Sequence, residues 1–173
     1  ELWQPPRPEG SDGWRVDPKV AGGGYFADLA VHTLDFLDYM LGPVAEVEGH
    51  ARNLAALYTA EDTVSASFRY ESGVLGCGLW CFAAGTHRDV TEIVGSRGSL
   101  RFSSFDTEPI EIETADGVER MKLENPEHVQ QPLIQQVVDE LRGKGACPST
   151  GRSALRTSRV MDSILSGYYQ QTI

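Results

Sequence analysis

Between Val44 and Glu124 the chain repeats one device, a short stretch of strand-forming residues closed by residues suited to a tight turn. VAEVEGHARNLAAL (Val44–Leu57), DTVSASFRY (Asp62–Tyr70), VLGCGLWCFA (Val74–Ala83) and HRDVTEIVG (His87–Gly95) read as successive strands. SLRFSS (Ser99–Ser104), PIEIETA (Pro109–Ala115) and VERMKLE (Val118–Glu124) continue the series. Glu71-Ser72-Gly73, Ser96-Arg97-Gly98 and Asp116-Gly117 supply hairpin chemistry between strands. Links this short join antiparallel neighbours, because a parallel pair needs a crossover of about a dozen residues or more. In Thr63–Tyr70 the alternation puts Val64, Ala66, Phe68 and Tyr70 on one face and Thr63, Ser65, Ser67 and Arg69 on the other. Cys77–Phe82 is apolar or glycine on both faces, a flat patch suited to another sheet or subunit.

Helices bracket this region. Gly22-Gly23-Gly24 opens a helix that stops at Gly42-Pro43. A second starts near Pro126-Glu127-His128, with Leu133, Ile134, Val137, Val138 and Leu141 as its core positions, and ends at Gly143. The last, Arg152–Tyr169, turns Leu155, Val160, Ile164 and Leu165 inward. Helix, hairpin strands, then helices is the order of an α+β fold: an open, mostly antiparallel sheet with helices packed on one face and the other face available for oligomerisation. Residues 1–21, rich in Pro, Gly and Asp, read as an irregular arm, and residues 22–173 as a single α+β domain. The chain starts at Glu1 without a methionine, which suits a fragment or a processed product.

Charge narrows the partners. A net charge of −10 repels a polyphosphate surface, so no nucleic-acid partner is expected. Arg152, Arg156 and Arg159 read as a solvated face with ion pairs. No apolar run reaches the ~20 residues of a membrane span, and no signal peptide is visible. Three cysteines, an odd number, point to free thiols and a reducing compartment; the cytoplasm is expected, with the periplasm left open. On one strand Cys77 and Cys81 start ~13 Å apart. That is too far for a disulfide or a shared zinc, so both read as buried small hydrophobes.

The helix GGGYFADLAVHTLDFLDYMLG carries the chemistry. Asp28, His32 and Asp35 are spaced four and then three residues apart, which puts them on one helical face. At ~100° per residue Tyr39 joins the stripe, while Leu29, Ala30, Thr33, Leu34, Leu37, Met40 and Leu41 cover the other side. A neutral histidine can accept a proton near pH 7, and a carboxylate one turn away can fix its tautomer or bind substrate hydroxyls. The same residues also suit a plain solvated stripe. Zinc on Asp28 and His32 lacks an evident third ligand, so no metal is expected.

These residues carry a resemblance. WRVDPKVAGGGYFADLAVHTLDFLDYMLG resembles the start of the C-terminal domain of the glucose–fructose oxidoreductase / inositol dehydrogenase / rhizopine catabolism family (Gfo/Idh/MocA). The shared features are Trp14-Arg15, Pro18, the Gly22–Gly24 run, Asp28-x-x-x-His32-x-x-Asp35 and Leu41-Gly42. EIVGSRGSLRF (Glu92–Phe102) and CPSTGRSALRTSRVMDSIL (Cys147–Leu165) are similar to later blocks of that family, in the same order. Ala30 stands where the family often has glycine.

The resemblance implies the substrate-binding and catalytic half of an NAD(P)-dependent oxidoreductase acting on a sugar, polyol or related carbohydrate. His32 would be the acid/base and Asp28 its partner. Arg15, Asp35 and His87 are candidate substrate contacts. The family's N-terminal Rossmann domain and its Glu-Lys-Pro loop are not in this sequence. NAD or NADP is therefore expected in the parent protein and not on this fragment, which alone should be inactive. The resemblance further implies a homo-oligomer, dimer or tetramer, formed through the sheet. A non-catalytic carbohydrate-binding or dimerisation module is the alternative, and a metal-dependent hydrolase a weaker third.

Overall fold

The computed structural model describes residues 1–6 and 13–170. The chain forms two compact units, residues 1–89 with 153–173, and residues 90–152. The α+β class is what is observed, with the strands in two open sheets.

The first unit holds a five-stranded sheet in the order β2-β3-β4-β1-β5. Its strands are β1 (Leu2–Trp3), β2 (Val44–Arg52), β3 (Thr63–Tyr70), β4 (Leu75–Cys81) and β5 (Arg88–Asp89). β2, β3 and β4 form an antiparallel meander, while β1 lies parallel to β4 and antiparallel to β5. The segment expected to be an irregular arm thus contributes a strand. Leu2 is the reason: it is apolar and buried, and Gln4 N donates to Cys81 O at 2.8 Å. The stretch expected as one strand from His87 to Gly95 is divided between the sheets.

The alternation of β3 is realised. Val64, Ala66, Phe68 and Tyr70 are all buried, with Trp80 paired to Val64 on the same face. Gly78 gives the Trp80 ring its room, since a Cβ there would fall 2.2 Å from the indole. Two helices cover this face. α2 (Val31–Leu41) supplies Leu34, with Phe26 and Ala30 just ahead of it, and α4 (Gly151–Tyr169) supplies Ile164 and Leu165. The outer face is polar on β2 and β3, with Arg69 paired to Glu46, and carries Leu75, Cys77 and Leu79 on β4. Cys77 is exposed there, not buried as its alternation suggested, because the helices cover the other side.

The second unit is a four-stranded antiparallel meander, β6 (Thr91–Gly95), β7 (Gly98–Phe102), β8 (Ile110–Thr114) and β9 (Gly117–Met121). Glu92, Arg101, Glu111 and Arg120 stand in register across one face as a ladder of alternating charge, with contacts of 3.1, 3.9 and 2.7 Å. Opposite-charge neighbours pin a register that a one-residue slip would invert. Its helix α3 (Gln131–Leu141) departs from expectation, because Leu133, Ile134, Val137 and Leu141 are exposed. The helical period was legible, but nothing among the described residues covers those side chains. No helix of the described residues is long and apolar enough to cross a membrane.

The tightest joint between sheet and helix is Gly49 on β2 against Ile164 on α4. A Cβ on Gly49 would meet Ile164 Cγ2 at 2.7 Å and its Cα at 3.1 Å. Backbone cannot yield as a side-chain tip can, so Gly49→Ala is expected to destabilise the chain by about 1–3 kcal/mol. Gly85→Ala, which meets nothing within 4 Å, serves as the control. Thermal unfolding of the two variants checks this.

Candidate functional site

The site begins with a chain reversal. A 3-10 turn at Gly13–Val16 runs into α1 (Pro18–Ala21), whose N-terminus is capped by Asp17 accepting from Lys19 N at 3.0 Å. Proline at the first helical position needs no amide partner. Gly22, at φ 79°, ends this helix with its N–H on Pro18 O. The left-handed conformation there is open to glycine at no steric penalty. The reversal brings the arm back against the start of the next helix, where Arg15 Nε lies 3.4 Å from Asp28 Oδ2.

That next helix does not begin as a plain α-helix. Phe26–Ala30 form a π-turn, and α2 follows directly. Closing a turn from i to i+5 inserts one residue, so the i, i+4 arithmetic between Asp28 and His32 does not carry across it. Both side chains are exposed all the same. π-turns of this kind recur at functional sites. Phe26 holds the turn in place by meeting Trp80 edge to face at 5.0 Å, and Tyr25 packs on Phe82 at 5.5 Å.

Farther along, the expected stripe divides. Tyr39 is exposed like His32, but Asp35 accepts from the Thr157 hydroxyl at 2.9 Å, on the side turned to α4. Asp38, which the spacing argument passed over, is buried and takes both arms of Arg156, Nε at 3.1 Å and Nη2 at 2.5 Å. A bidentate pair of this geometry fixes orientation as well as energy. The arginines of α4 were expected to be a solvated face with ion pairs; Arg156 is exposed and forms such a pair, one that locks α4 to α2. Arg15 thus pairs with Asp28 at the start of the helix and His32 is exposed in the residues that follow, while Asp35 and Asp38 fasten its side. His87 lies elsewhere, exposed in the turn leading into β5.

Beneath the exposed end lies a group that the spacing did not reveal. Glu61, fully buried ahead of β3, accepts from Gly24 N at 2.9 Å through one oxygen and from the Tyr169 hydroxyl through the other. Gly23 and Gly24 allow the approach, since a Cβ on Gly24 would lie 2.7 Å from Glu61 O and 2.8 Å from Ala60 Cβ. Beside it Asp62 is also buried. It accepts from Leu54 N, Ala55 N and the Thr63 hydroxyl, which closes the loop where the first predicted strand was expected to continue. Burial pushes the Glu61 carboxyl above the ordinary glutamate range, with Asp62 adding to the push and the bonds from Tyr169 and Gly24 opposing it. The Tyr169 hydroxyl is pushed up as well, by burial first and then by Glu61. No group of three or more His, Cys, Asp or Glu that could hold a metal ion occurs among the described residues.

A carboxyl that binds its proton more tightly folded than unfolded favours folding in acid. That contribution fades as pH rises from the ordinary glutamate range through the raised value. Glu61→Gln cannot ionise and lacks the loss. The melting temperature of Glu61→Gln minus that of the parent chain is expected to grow more positive from about pH 4 to pH 7. Paired melting curves across that range check it, and a flat difference would mean the folded carboxyl is not raised.

Residues 2–101 match the family model of the GFO/IDH/MocA C-terminal domain. Oxidoreductase P35 of Formosa agariphila is 33% identical over 149 residues, which are 86% of this chain and 46% of that protein. The 1,5-anhydro-D-fructose reductase of Ensifer adhaerens is 25% identical over 154 residues, 83% of this chain and 44% of that protein. The chain therefore spans less than half the length of these two relatives. Among solved structures, levoglucosan dehydrogenase in complex with NADH and levoglucosan superposes with a TM-score of 0.79 at 18% identity, over 98% of this chain and 55% of that one. At that identity the likeness shows the fold alone. With more than half its length matched, the chain belongs to the GFO/IDH/MocA C-terminal domain family.

Proposed function

We propose that this member of the GFO/IDH/MocA family is the substrate-binding and catalytic half of a nicotinamide-dependent oxidoreductase acting on a sugar, polyol or related carbohydrate. One observation carries the reading. Arg15 pairs with Asp28 at the exposed, π-turned start of a helix that also exposes His32, and whose remaining acidic side chains, Asp35 and Asp38, are committed to packing. His32 is the acid/base, taking the proton of a substrate hydroxyl on oxidation and returning it on reduction. Asp28 supplies the carboxylate that orients the imidazole or a neighbouring hydroxyl, and Arg15 steadies Asp28 while presenting guanidinium N–H groups to substrate oxygens. Asp35 and His87 are the outer candidates for substrate contact.

In this reading the described residues of the chain supply no Rossmann-type cradle for a dinucleotide. Among the described strands the one parallel pair is β1 with β4, and Gly22–Gly24 opens a helix from a reversal rather than from a strand, so no βαβ phosphate cradle is formed. The hydride carrier belongs in this reading to the part of the relatives' length that the chain does not span. What supports a sugar-like substrate is the printed activity of the relatives, a reductase of 1,5-anhydro-D-fructose and a dehydrogenase of levoglucosan.

Assembly is the second part of the proposal. The outer face of the first sheet is polar on two strands but carries exposed Leu75 beside Leu79 and Cys77 on β4, and we assign it to a homo-oligomer. The free thiols suit a reducing compartment such as the cytoplasm.

In the longer protein that joins this chain to a cofactor-binding half, His32→Ala is expected to lower kcat by about 10²- to 10⁴-fold, with substrate KM little changed. Steady-state kinetics with 1,5-anhydro-D-fructose and levoglucosan as probes check it. Full turnover in His32→Ala overturns the assignment of His32, whereas a parent protein that binds these sugars without turning them over leaves the carbohydrate-binding or dimerisation module as the surviving reading.

A further inference from the structure

We propose that Glu61 is the positioning residue of this site: it fixes where the helix bearing Asp28 and His32 begins and ties that start to the end of α4. The proposal rests on the reading above for the role of the site, and on the following geometry for the rest.

Three separate segments meet at the Glu61 carboxylate. The reversal contributes the Gly24 amide, the loop before β3 contributes Glu61 itself, and α4 contributes the Tyr169 hydroxyl. Gly24 is also the first carbonyl of the site helix, accepting from Asp28 N at 3.4 Å. A single residue therefore stands between the buried carboxylate and the backbone of Asp28. The amide of Gly24 belongs to the donors at the start of a helix that lack an intrahelical partner, where a carboxylate is the favoured one.

The start of the helix is not held by a side-chain cap. Neither Tyr25 nor Ala30 supplies a side-chain cap to the π-turn or to α2. Phe26 and Tyr25 resist translation by packing on Trp80 and Phe82, but ring contacts tolerate rotation that a hydrogen bond to a fixed amide does not. A π-turn is one residue away from a plain α-turn, and relaxing it would swing Asp28 relative to Arg15 and His32. Glu61 is thus the group that decides which of the two turns persists. Gly24 serves the same end, because any side chain there would hold Ala60 and Glu61 off. The charged and titratable groups facing Glu61 are Asp62 on its own segment and Tyr168 and Tyr169 on α4.

Substitution separates positioning from mere support. Glu61→Gln keeps an oxygen for Gly24 N and offers an N–H to Tyr169, so it preserves the geometry. Glu61→Ala removes both bonds. In the 173-residue chain, amide hydrogen exchange and the Arg15 Nε–H resonance are followed by NMR. Glu61→Ala is expected to speed exchange across Ala27–Leu29 by about tenfold or more and to shift the Arg15 signal, with Glu61→Gln close to the parent. Asp38→Asn, which loosens the far end of the same helix, should leave those signals in place. Where Glu61→Ala does not fold, Tyr169→Phe removes only the hydroxyl and is expected to move the same signals in the same direction. Parent-like exchange in whichever of the two folds overturns the proposal, and so does a shift that Asp38→Asn reproduces.

In the longer, cofactor-bearing protein Glu61→Ala should lower kcat by about tenfold or more with KM for the probe sugar held, and Glu61→Gln should restore it. Loss of kcat that Gln does not rescue assigns Glu61 to general stability and overturns the positioning role. If His32→Ala is itself fully active, the reading of the site fails, and the exchange data still decide whether Glu61 sets the turn.

Discussion

The close approach of Gly24 to Ala60 and Glu61 is the constraint on which the arrangement of the first unit turns. It requires three things at once. Gly24 must bring one backbone within van der Waals distance of another, a carboxylate must be buried without losing its hydrogen bonds, and a tyrosine must arrive from the end of α4. A buried carboxyl left without donors would be costly, so each of its bonds holds a segment that could otherwise drift. The sheet face, the site helix and the last helix are registered to one another through that carboxylate.

The site helix shows how one element can serve two masters. Its side is fastened to α4 by Asp35 with Thr157 and by Asp38 with Arg156, both polar contacts in partly buried surroundings. Its start is fastened from below by Glu61 and by the rings of Tyr25 and Phe26. Asp28 and His32 remain exposed, with Arg15 of the preceding turn beside Asp28. An exposed ion pair such as Arg15–Asp28 contributes little to stability, and its side chains stand where a ligand could meet them.

Much of this was legible beforehand, and the failures have definite causes. The alternation in β3 and the hairpin turns identified the meander, since period-two patterning reports a half-buried sheet directly. His32 and Asp28 stood out as titratable groups in an apolar helix, and Trp14-Arg15 with the glycine run carried the family. The π-turn left no trace, because a one-residue widening is settled by what packs on the helix and not by the residues within it. The pairing of Asp38 with Arg156 was hidden by their separation of 118 positions in the sequence. Leu133, Ile134, Val137 and Leu141 gave a correct helix and an incorrect core, because periodicity marks an apolar face without saying what covers it.

By itself, then, the amino-acid order determined what is local: strand periods, turn positions, helix spans, the free thiols and the residue types able to move a proton. The tertiary structure decided what depends on distant partners. It chose which acidic side chains of one helix are locked and which are left open, it seated Arg15 beside Asp28, and it turned Glu61 from an acidic residue ahead of a strand into a buried joint. The physical reason is that period and propensity act over a few residues. Burial, a raised carboxyl pKa and the choice of a helical turn are set by atoms that only folding brings together.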